Sequence, residues 1–429
     1  MDTTTTPSAP PATSDPAAAR QALLRDPSMR WLLAGSFVSL IGDQFTLIAL
    51  PWAALQLSGD PLVLGIVLAM VGVPRAAFIL FGGAFVDRYS PRRVLMLTKH
   101  ANTMLLGALA VAIGTGTLSV AGLCGLALGI GIASAFSIPA ATSMLPQVVE
   151  RSQLPAANAL SMGLRQITMF LGPLAAGALI AGAGGTQGLA AAFAVDAASF
   201  ALSAWTLSRV RTRPQPAPVR QAVIAAIVEG LRHAWNDRQL RALLGYGSAV
   251  TLLIVGPLQT ALPVLAAAVP AIGAGGLGTM LGAHGAGMLI GLALAGARPS
   301  WRLGTLGATV LAIDASVGLL IVPLGHVTAT WQGVALLLAT GTGAGFVQVL
   351  VFSWLQRRVP PVLMGRTMSL FMFVFVGLAP LSAAVAGAVL RWVALPTLFA
   401  AAGGLLVALV GAALAWPGSP MRRLGEAAA

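Results

Sequence analysis

The amino-acid sequence predicts an all-α membrane protein with twelve transmembrane helices in two pseudo-symmetric six-helix bundles. Three observations support this prediction: an apolar composition, twelve long apolar segments, and a likeness between the two halves of the chain. Hydrophobic residues make up 57% of the 429 residues and charged residues only 9%, whereas soluble proteins carry roughly 25% charged residues. So few charges do not cover the surface of a soluble protein of this length, and most of the chain is therefore expected in lipid.

The apolar segments supply the helix count. A helix that crosses the ~30 Å hydrocarbon core of a bilayer needs about 20 mainly apolar residues. The first six such segments lie near 31–57, 62–86, 94–114, 119–143, 159–182 and 187–208. The second six lie near 241–266, 277–297, 303–324, 329–353, 367–390 and 395–416.

The two halves also resemble each other. Ala157–Ile180 is similar to Gly365–Leu390, because each has a Ser near its start, a Pro about eleven or twelve positions later and small residues beyond. Gly129–Phe136 is similar to Gly341–Phe346 in the same way. Duplicated six-helix halves are an architecture of secondary transporters.

These patterns divide the chain into five parts. We expect a disordered cytoplasmic tail over 1–28, an N-terminal bundle over 29–208, a cytoplasmic linker over 209–240, a C-terminal bundle over 241–417 and a cytoplasmic tail over 418–429. Apolar residues recur at helical spacing in the linker, namely Val223, Ile224, Ile227, Val228, Leu231 and Trp235. They indicate an amphipathic helix, which either lies on the inner membrane surface or packs on the bundle.

The basic residues predict the orientation. Of the 25 Lys and Arg residues, all but Arg75 and Arg391 fall in the tails, in the even-numbered connections or at the helix ends beside them. Basic residues concentrate on the cytoplasmic side of a membrane, so both termini are expected in the cytoplasm, with the chain in a bacterial plasma (inner) membrane. The net charge of +13 thus needs no nucleic-acid partner. With Cys124 as its one cysteine, the chain offers no intrachain disulfide and no metal site.

The connection after the second predicted helix carries the most specific motif. It reads GGAFVDRYSPRR over Gly82–Arg93. Gly83, Asp87, Arg88 and Arg92 match the pattern Gly-x-x-x-Asp-Arg-x-Gly-Arg-Arg, and Arg93 adds a further charge. This resembles the signature loop of the major facilitator superfamily, within which the chain is most similar to the twelve-helix exporter branch of enterobactin exporters and macrolide efflux pumps. Ser90 stands where that family has glycine, and Pro91 stands where it often has a basic residue.

The resemblance implies a gating role for this motif. In the family the Asp docks against the start of helix eleven and closes the cytoplasmic side. Here Asp87 has Arg92, Arg93 or Arg366 as expected partners. The alternative is an incidental carboxylate among orientation charges.

A second family pattern lies in the fifth predicted helix. Gly172, Pro173 and Gly177 resemble the Gly-Pro-x-x-x-Gly motif that is associated with exporters. The fourth helix, in contrast, lacks the Arg that many proton-driven exporters carry. The usual proton-coupling residue of the family is therefore absent.

Ionisable residues within membrane helices are costly and point to function. Asp43 and Arg75 are expected at similar depth on adjacent helices, either as a pair that opens when the carboxylate is protonated or as a fixed salt bridge. Asp196 and Asp314 lie on helices that are scaffold in the family and are expected to be structural. Four glutamines on helices that line the family's cavity are candidates for substrate contact or for helix packing: Gln44, Gln166, Gln259 and Gln348.

Together these features predict a secondary transporter that exports a small amphipathic or hydrophobic compound (a drug, a siderophore or a secondary metabolite) by alternating access. Its export is expected to be coupled to protons. A lipid or lysolipid flippase and an importer are alternatives on the same fold. An enzyme is not expected, since no catalytic set and no phosphate-binding loop are present. The expected partners are the substrate, protons and the lipid bilayer, for a monomer without a cofactor.

Overall fold

A computed structural model describes residues 21, 23–213, 223–298, 301–416 and 418–425. Within these ranges the side chains of residues 79–88, 151, 223–228, 230 and 361–362 lie outside the description. All regular secondary structure in the described part is helical, and 12 of its helices are long and apolar enough to cross a membrane. The predicted fold class is thereby confirmed.

The twelve membrane helices are named span 1 to span 12 in chain order. Spans 1 to 6 are Pro27–Ser58, Pro61–Tyr89, Pro91–Gly114, Val120–Val148, Leu154–Ala183 and Gly185–Ser208. Spans 7 to 12 are Arg238–Ala268, Gly273–Ala297, Leu306–His326, Thr330–Arg358, Leu363–Val389 and Leu395–Ala415.

Several spans begin at a capping residue that hydropathy does not reveal. Asp26 Oδ1 accepts a hydrogen bond from the Ser28 amide at 2.7 Å, and Pro27 occupies the first turn. Asp237 Oδ1 accepts from the Gln239 amide at 2.9 Å. Carboxylates at this position satisfy amides that have no partner within the helix. Spans 1 and 7 therefore start before the predicted residues 31 and 241.

Spans 7 and 11 each contain a π-helical turn. In span 7 the turn is Thr251–Val255, between helices Arg238–Val250 and Gly256–Ala268. In span 11 it is Phe373–Gly377, between Pro361–Met372 and Ala379–Val389. The last turn of span 9, Val322–His326, is a 3-10 helix.

Most helix contacts lie within two groups, spans 1 to 6 and spans 7 to 12, and spans 2 and 5 also contact spans 11 and 8. Glycines allow the closest approaches. Gly287 and Gly291 of span 8 face the backbone of span 10, and Gly341 and Gly345 of span 10 face the backbone of span 8. Small residues spaced four apart let membrane helices associate through van der Waals contact.

Both chain ends pack on the bundles where they are described. Residues 23–25 are helical and Leu23 is only 1% exposed, so this part of the expected disordered tail is ordered against the N-terminal bundle. At the other end Leu424 is fully buried, and the Arg422 carbonyl accepts from the Thr305 hydroxyl at 2.6 Å. The rest of the predicted tails, residues 1–20 and 426–429, lies outside the described residues.

The linker contains the expected helix, Val223–Asn236. Glu229 forms an ion pair with Arg366 of span 11 at 2.5 Å, and Asp237 accepts from Arg358 of span 10 at 2.9 Å. Burial alone would raise the pKa of Asp237, but hydrogen bonds from Arg358 and from the helix amides outweigh burial and lower it. The linker helix is thus attached to the C-terminal bundle, while Leu231 and Trp235 remain exposed.

Candidate functional site

The two bundles meet through two pairs of helices, span 2 with span 11 and span 5 with span 8. We name as the distal end the side that carries the connections 58–61, 183–185, 268–273 and 389–395, opposite the chain termini. Near this end a side-chain carbon added to Gly65 would lie 2.9 Å from the Ala383 carbonyl oxygen. One added to Gly177 would lie 2.9 Å from the Ala274 carbonyl oxygen. Backbone therefore contacts backbone at both distal seams.

The helix-five motif lies at one of these seams. Gly172 packs against the Gln44 side chain of span 1, and Pro173 is buried. Gly177 and Gly278 of span 8 are mutual neighbours, since a side-chain carbon on Gly278 would lie 2.8 Å from the Gly177 Cα. This motif thus joins span 1 to the contact between bundles, and its relation to transport direction stays a prediction.

Asp43 lies midway along span 1, yet its side chain is exposed. It is within electrostatic range of three basic residues on other helices, Arg75 of span 2, Lys99 of span 3 and Arg165 of span 5. Charges in contact with hydrocarbon are strongly unfavourable. The exposed carboxylate is therefore placed in a water-accessible space rather than against lipid.

Asp43 and Arg75 are electrostatic neighbours, as expected, but they are not in direct contact. No ion pair within 4.0 Å joins them among the described residues. The Arg75 Nε atom is buried and has no hydrogen-bond partner in the described part of the chain. In this conformation the two residues do not form the fixed salt bridge that was one of the two sequence-based interpretations.

Lys99 is a buried charge, although its place near the start of span 3 predicts an orientation residue. It is 6% exposed and donates to Ser203 Oγ of span 6 at 2.5 Å and to Ser39 Oγ of span 1 at 3.4 Å. Its ammonium also lies 5.6 Å from the centre of the Phe200 ring, which is a favourable cation–π geometry. Lys99 thereby joins spans 1, 3 and 6 beneath the Asp43 carboxylate.

Asp196 and Arg165 complete this set of charges. Asp196 is 1% exposed, and it accepts hydrogen bonds from Thr46 and, at 3.2 Å, from Ser199. Asp196 also interacts electrostatically with Asp43. Arg165 is exposed and interacts with both Asp43 and Arg75. We name Asp43, Arg75, Lys99, Arg165 and Asp196 the charge cluster.

The C-terminal bundle differs in chemistry. Its spans hold one mid-helix charge, Asp314, which accepts from the Tyr246 hydroxyl at 2.7 Å. Phe352, Phe371 and Phe375 form an aromatic group, with ring centres 5.3 and 4.5 Å apart along the series. The spans of this bundle thus combine a single mid-helix carboxylate with a packed aromatic group.

Each of the two π-helical turns packs against a regular α-helical part of the other span. Ser382 Oγ of span 11 donates to the Leu252 carbonyl in the span 7 turn at 2.6 Å. Phe375, in the span 11 turn, packs on Gly247 of span 7. A π turn leaves carbonyls without their regular helical partner, and such turns are frequent at functional sites.

The four candidate glutamines are distributed over four spans. Gln44 on span 1 and Gln166 on span 5 are half-buried, and Gln259 on span 7 is exposed. Gln348 on span 10 has a buried Oε1 without a hydrogen-bond partner among the described residues. Gln44 contacts Gly172, so at least this glutamine takes part in helix packing. A substrate role for the set stays a prediction.

The gating motif is described only in part. The helix of span 2 continues to Tyr89, but the side chains of Gly83, Asp87 and Arg88 lie outside the described residues. Arg92 Nη2 donates to the Ser208 carbonyl at 2.9 Å, Arg93 is exposed, and Arg366 is paired with Glu229. The pairing of Asp87 with any of these residues is still a prediction.

At Ser90 the gating motif departs from the family pattern in its side chain but keeps the backbone turn. It has φ = 75° and is the one residue other than glycine with positive φ in the described chain. That conformation favours glycine, the residue which the family carries at this position. The backbone turn is thus retained although the side chain differs.

Two bundles of six spans, with ionisable residues inside the spans of the N-terminal bundle, are typical of a membrane transport protein. The model of the Major Facilitator Superfamily matches residues 32–384, and the chain belongs to this superfamily. It is a transporter and not an enzyme.

Relatives include one transporter described as uncharacterized, y4rN, and two that are named for an activity. The MFS-type transporter y4rN of Sinorhizobium fredii is 28% identical over 84% of this chain and 87% of its own length. The multidrug efflux pump Tap of Mycolicibacterium fortuitum is 34% identical over 49% of this chain and 53% of the pump. The enterobactin exporter EntS of Shigella boydii is 23% identical over 65% of this chain and 72% of the exporter.

Solved structures confirm the fold. The nucleoside transporter NupG superposes with a TM-score of 0.69 at 13% identity over 89% of this chain and 97% of its own. A bacterial homologue of the iron transporter ferroportin, in an inward-facing state, superposes with a TM-score of 0.68 at 16% identity, over 89% and 97% of the two chains.

Proposed function

We propose that the protein exports a small amphipathic or hydrophobic compound, such as a drug, a siderophore or a secondary metabolite, in exchange for protons. The two bundles would alternate around the charge cluster. The observation that carries this proposal is the position of Asp43, an exposed carboxylate midway along span 1 and within range of three cations.

A carboxylate in this position suits a proton carrier. Its exposure gives protons a route to it, and its charge interacts with Arg75, Lys99 and Arg165 on three different helices. Protonation removes these interactions together, so it changes the relative stability of two arrangements of the same helices. Asp196, which interacts electrostatically with Asp43 and accepts a hydrogen bond from Thr46 of span 1, would transmit part of this change to span 6.

The difference between the bundles supports an amphipathic substrate. The mid-helix charges of the chain are concentrated in spans 1, 2, 3, 5 and 6, whereas spans 7 to 12 contribute Asp314 alone. A molecule between the bundles would meet a bundle with several charged residues on one side and a bundle with few charges on the other. Ligand sites commonly combine an apolar lining with a few polar groups in this way.

Export as the direction is supported by the relatives and by one motif. Both Tap, a multidrug efflux pump, and EntS, an enterobactin exporter, are named for outward transport. The Gly172, Pro173 and Gly177 pattern of span 5 agrees with exporters of the superfamily. We place the chain in a bacterial plasma membrane with both termini in the cytoplasm, so that the distal end faces outwards.

Everted membrane vesicles test this function. Acidification of the vesicle interior should drive an amphipathic fluorescent dye into the lumen only when the protein is present. A protonophore should abolish the accumulation and leave the downhill movement of the dye. Accumulation that persists after the pH gradient has collapsed would contradict proton coupling. Loss of dye from the lumen would indicate import, and transfer of a labelled lysolipid without dye transport would indicate a flippase.

A further inference from the structure

Arg391 is the one basic residue that the sequence places in an odd-numbered connection, where orientation signals are not expected. Its guanidinium contacts the Asp60 carboxylate through two hydrogen bonds, Nε to Oδ1 at 3.1 Å and Nη2 to Oδ2. A guanidinium that holds both carboxylate oxygens is the strongest geometry for such a pair. Asp60 precedes span 2 in the N-terminal bundle, and Arg391 follows span 11 in the C-terminal bundle, so this ion pair joins the two bundles.

We propose that Asp60 and Arg391 form a latch that holds the distal end closed and has to break whenever this end opens. The proposal rests on alternating access and is independent of the identity of the substrate and of the coupling ion. Of the four ion pairs in the described chain, this is the one that joins the N-terminal bundle to the C-terminal bundle.

Backbone packing beside the pair supports this role. Pro61 follows Asp60, and Gly387 of span 11 lies so close to span 2 that a side-chain carbon on it would overlap the Pro61 carbonyl oxygen. The same carbon would lie 3.2 Å from the Gly65 Cα. Asp60 and Arg391 are thus at the distal edge of a close seam between the bundles, where separation of spans 2 and 11 would pull the pair apart.

Asp60 is also held by its own helix. Its Oδ1 accepts from the Leu62 amide at 2.8 Å and caps span 2. The hydrogen bonds from Arg391 and from this amide lower the pKa of Asp60. The latch therefore stays charged at the pH of ordinary media, and the carboxylate does not need to reorient to meet Arg391.

The test measures opening of the distal end directly. In a Cys124→Ala background, Ala274→Cys places a thiol on span 8 at the second distal seam, where Ala274 is 6% exposed. A membrane-impermeant maleimide reports its exposure in intact cells. Since exposed ion pairs shift equilibria modestly, Asp60→Asn and Arg391→Gln should each raise the labelling rate roughly twofold to fivefold.

Asn remains a good helix cap, so Asp60→Asn removes the charge and keeps the start of span 2. The double variant should label no faster than either single variant, because both remove the same interaction. High salt should speed labelling of the Ala274→Cys protein when Asp60 and Arg391 are both present, and it should not speed labelling when either is substituted. The matched control is Glu150→Gln, which removes the exposed ion pair of Glu150 with Arg213 and should leave labelling unchanged.

Unchanged labelling in both single variants, or additive effects in the double variant, would overturn the latch. If the proposed export function is wrong, dye will not accumulate in the vesicles, although the substitutions at Asp60 and Arg391 will still change the labelling rate. The two outcomes are therefore distinguishable.

Discussion

The substitution Asp43→Asn tests the proposed coupling most directly. Asn keeps the shape of the side chain and permanently lacks its charge, as the protonated carboxyl does. A carrier that must alternate between two protonation states would then be confined to one. We expect the variant to lose accumulation of substrate against its gradient in vesicles and to retain movement of substrate down its gradient.

The structure indicates that this variant will still fold. Asp43 forms no ion pair within 4.0 Å among the described residues. Two unit charges ~4 Å apart attract each other by ~4 kcal/mol at an effective dielectric constant of ~20, and each cation lies farther than that from Asp43, so its attraction is weaker. Because the Asp43 side chain is exposed, solvent screening reduces this to at most ~1 kcal/mol per cation. Loss of all three attractions should therefore cost about 1–3 kcal/mol, which a folded membrane protein tolerates.

The assay compares dye accumulation under an imposed pH gradient with equilibration in its absence, normalised to the amount of protein in the membrane. Asp314→Asn is the matched control, since it removes another mid-helix carboxylate, which contacts Tyr246 in the other bundle. The control should keep its coupling. If Asp43→Asn still accumulates dye against its gradient, the proton does not pass through Asp43, and Asp196 becomes the next residue to test.

Three further predictions concern stability, packing and topology. Ser90→Gly should raise the free energy of unfolding by about 0.5 kcal/mol, because relief of a positive φ (75°) outweighs the entropy of glycine in the unfolded chain; a lower melting temperature would contradict this. Gly177→Val should overlap the Ala274 carbonyl and destabilise the distal seam by about 1–3 kcal/mol, seen as faster maleimide labelling, whereas Gly182→Val, with nothing within 4 Å, should match the wild type. Reporter enzymes fused after Ala429 should stay cytoplasmic and one inserted at Gly275 should be exported; a cytoplasmic reporter at Gly275 would refute the assigned orientation.

The fold was predictable because hydropathy accumulates over each span. Twelve apolar segments identify twelve helices whatever the details of their packing. Helix ends depend instead on single contacts, such as the hydrogen bonds of Asp26 and Asp237 to the first amides of spans 1 and 7. For that reason the predicted starts are late by a few residues.

The charge cluster was predictable only in part. Asp43 and Arg75 stand out because each interrupts a long apolar run. Lys99 and Arg165 were assigned to the orientation signal, although they lie ~12 and ~16 Å inside spans 3 and 5 at 1.5 Å per residue. That depth was a usable signal. The proximity of these two residues to Asp43 could not be predicted, because it depends on the packing of three different helices, spans 1, 3 and 5.

The latch was beyond sequence reasoning for the same physical reason. Asp60 and Arg391 are separated by 331 positions, and neither belongs to a motif. Arg391 appeared only as an exception to the distribution of basic residues. Contact between the two follows from the approach of spans 2 and 11, which the glycines of the seam permit.

The two ends of the transporter give a last prediction. In the proposed latch Asp60 stabilises closure of the distal end, whereas the family resemblance predicts that Asp87 stabilises closure of the opposite end. The two substitutions should therefore shift one equilibrium in opposite directions. Asp87→Asn should slow maleimide labelling of Ala274→Cys and cut transport strongly at normal protein levels, while Asp60→Asn speeds labelling. The double variant should label at close to the wild-type rate, since the two shifts offset each other. If Asp87→Asn leaves labelling unchanged, or if the double variant behaves like Asp60→Asn alone, then Asp87 has no part in the equilibrium between the two closed states.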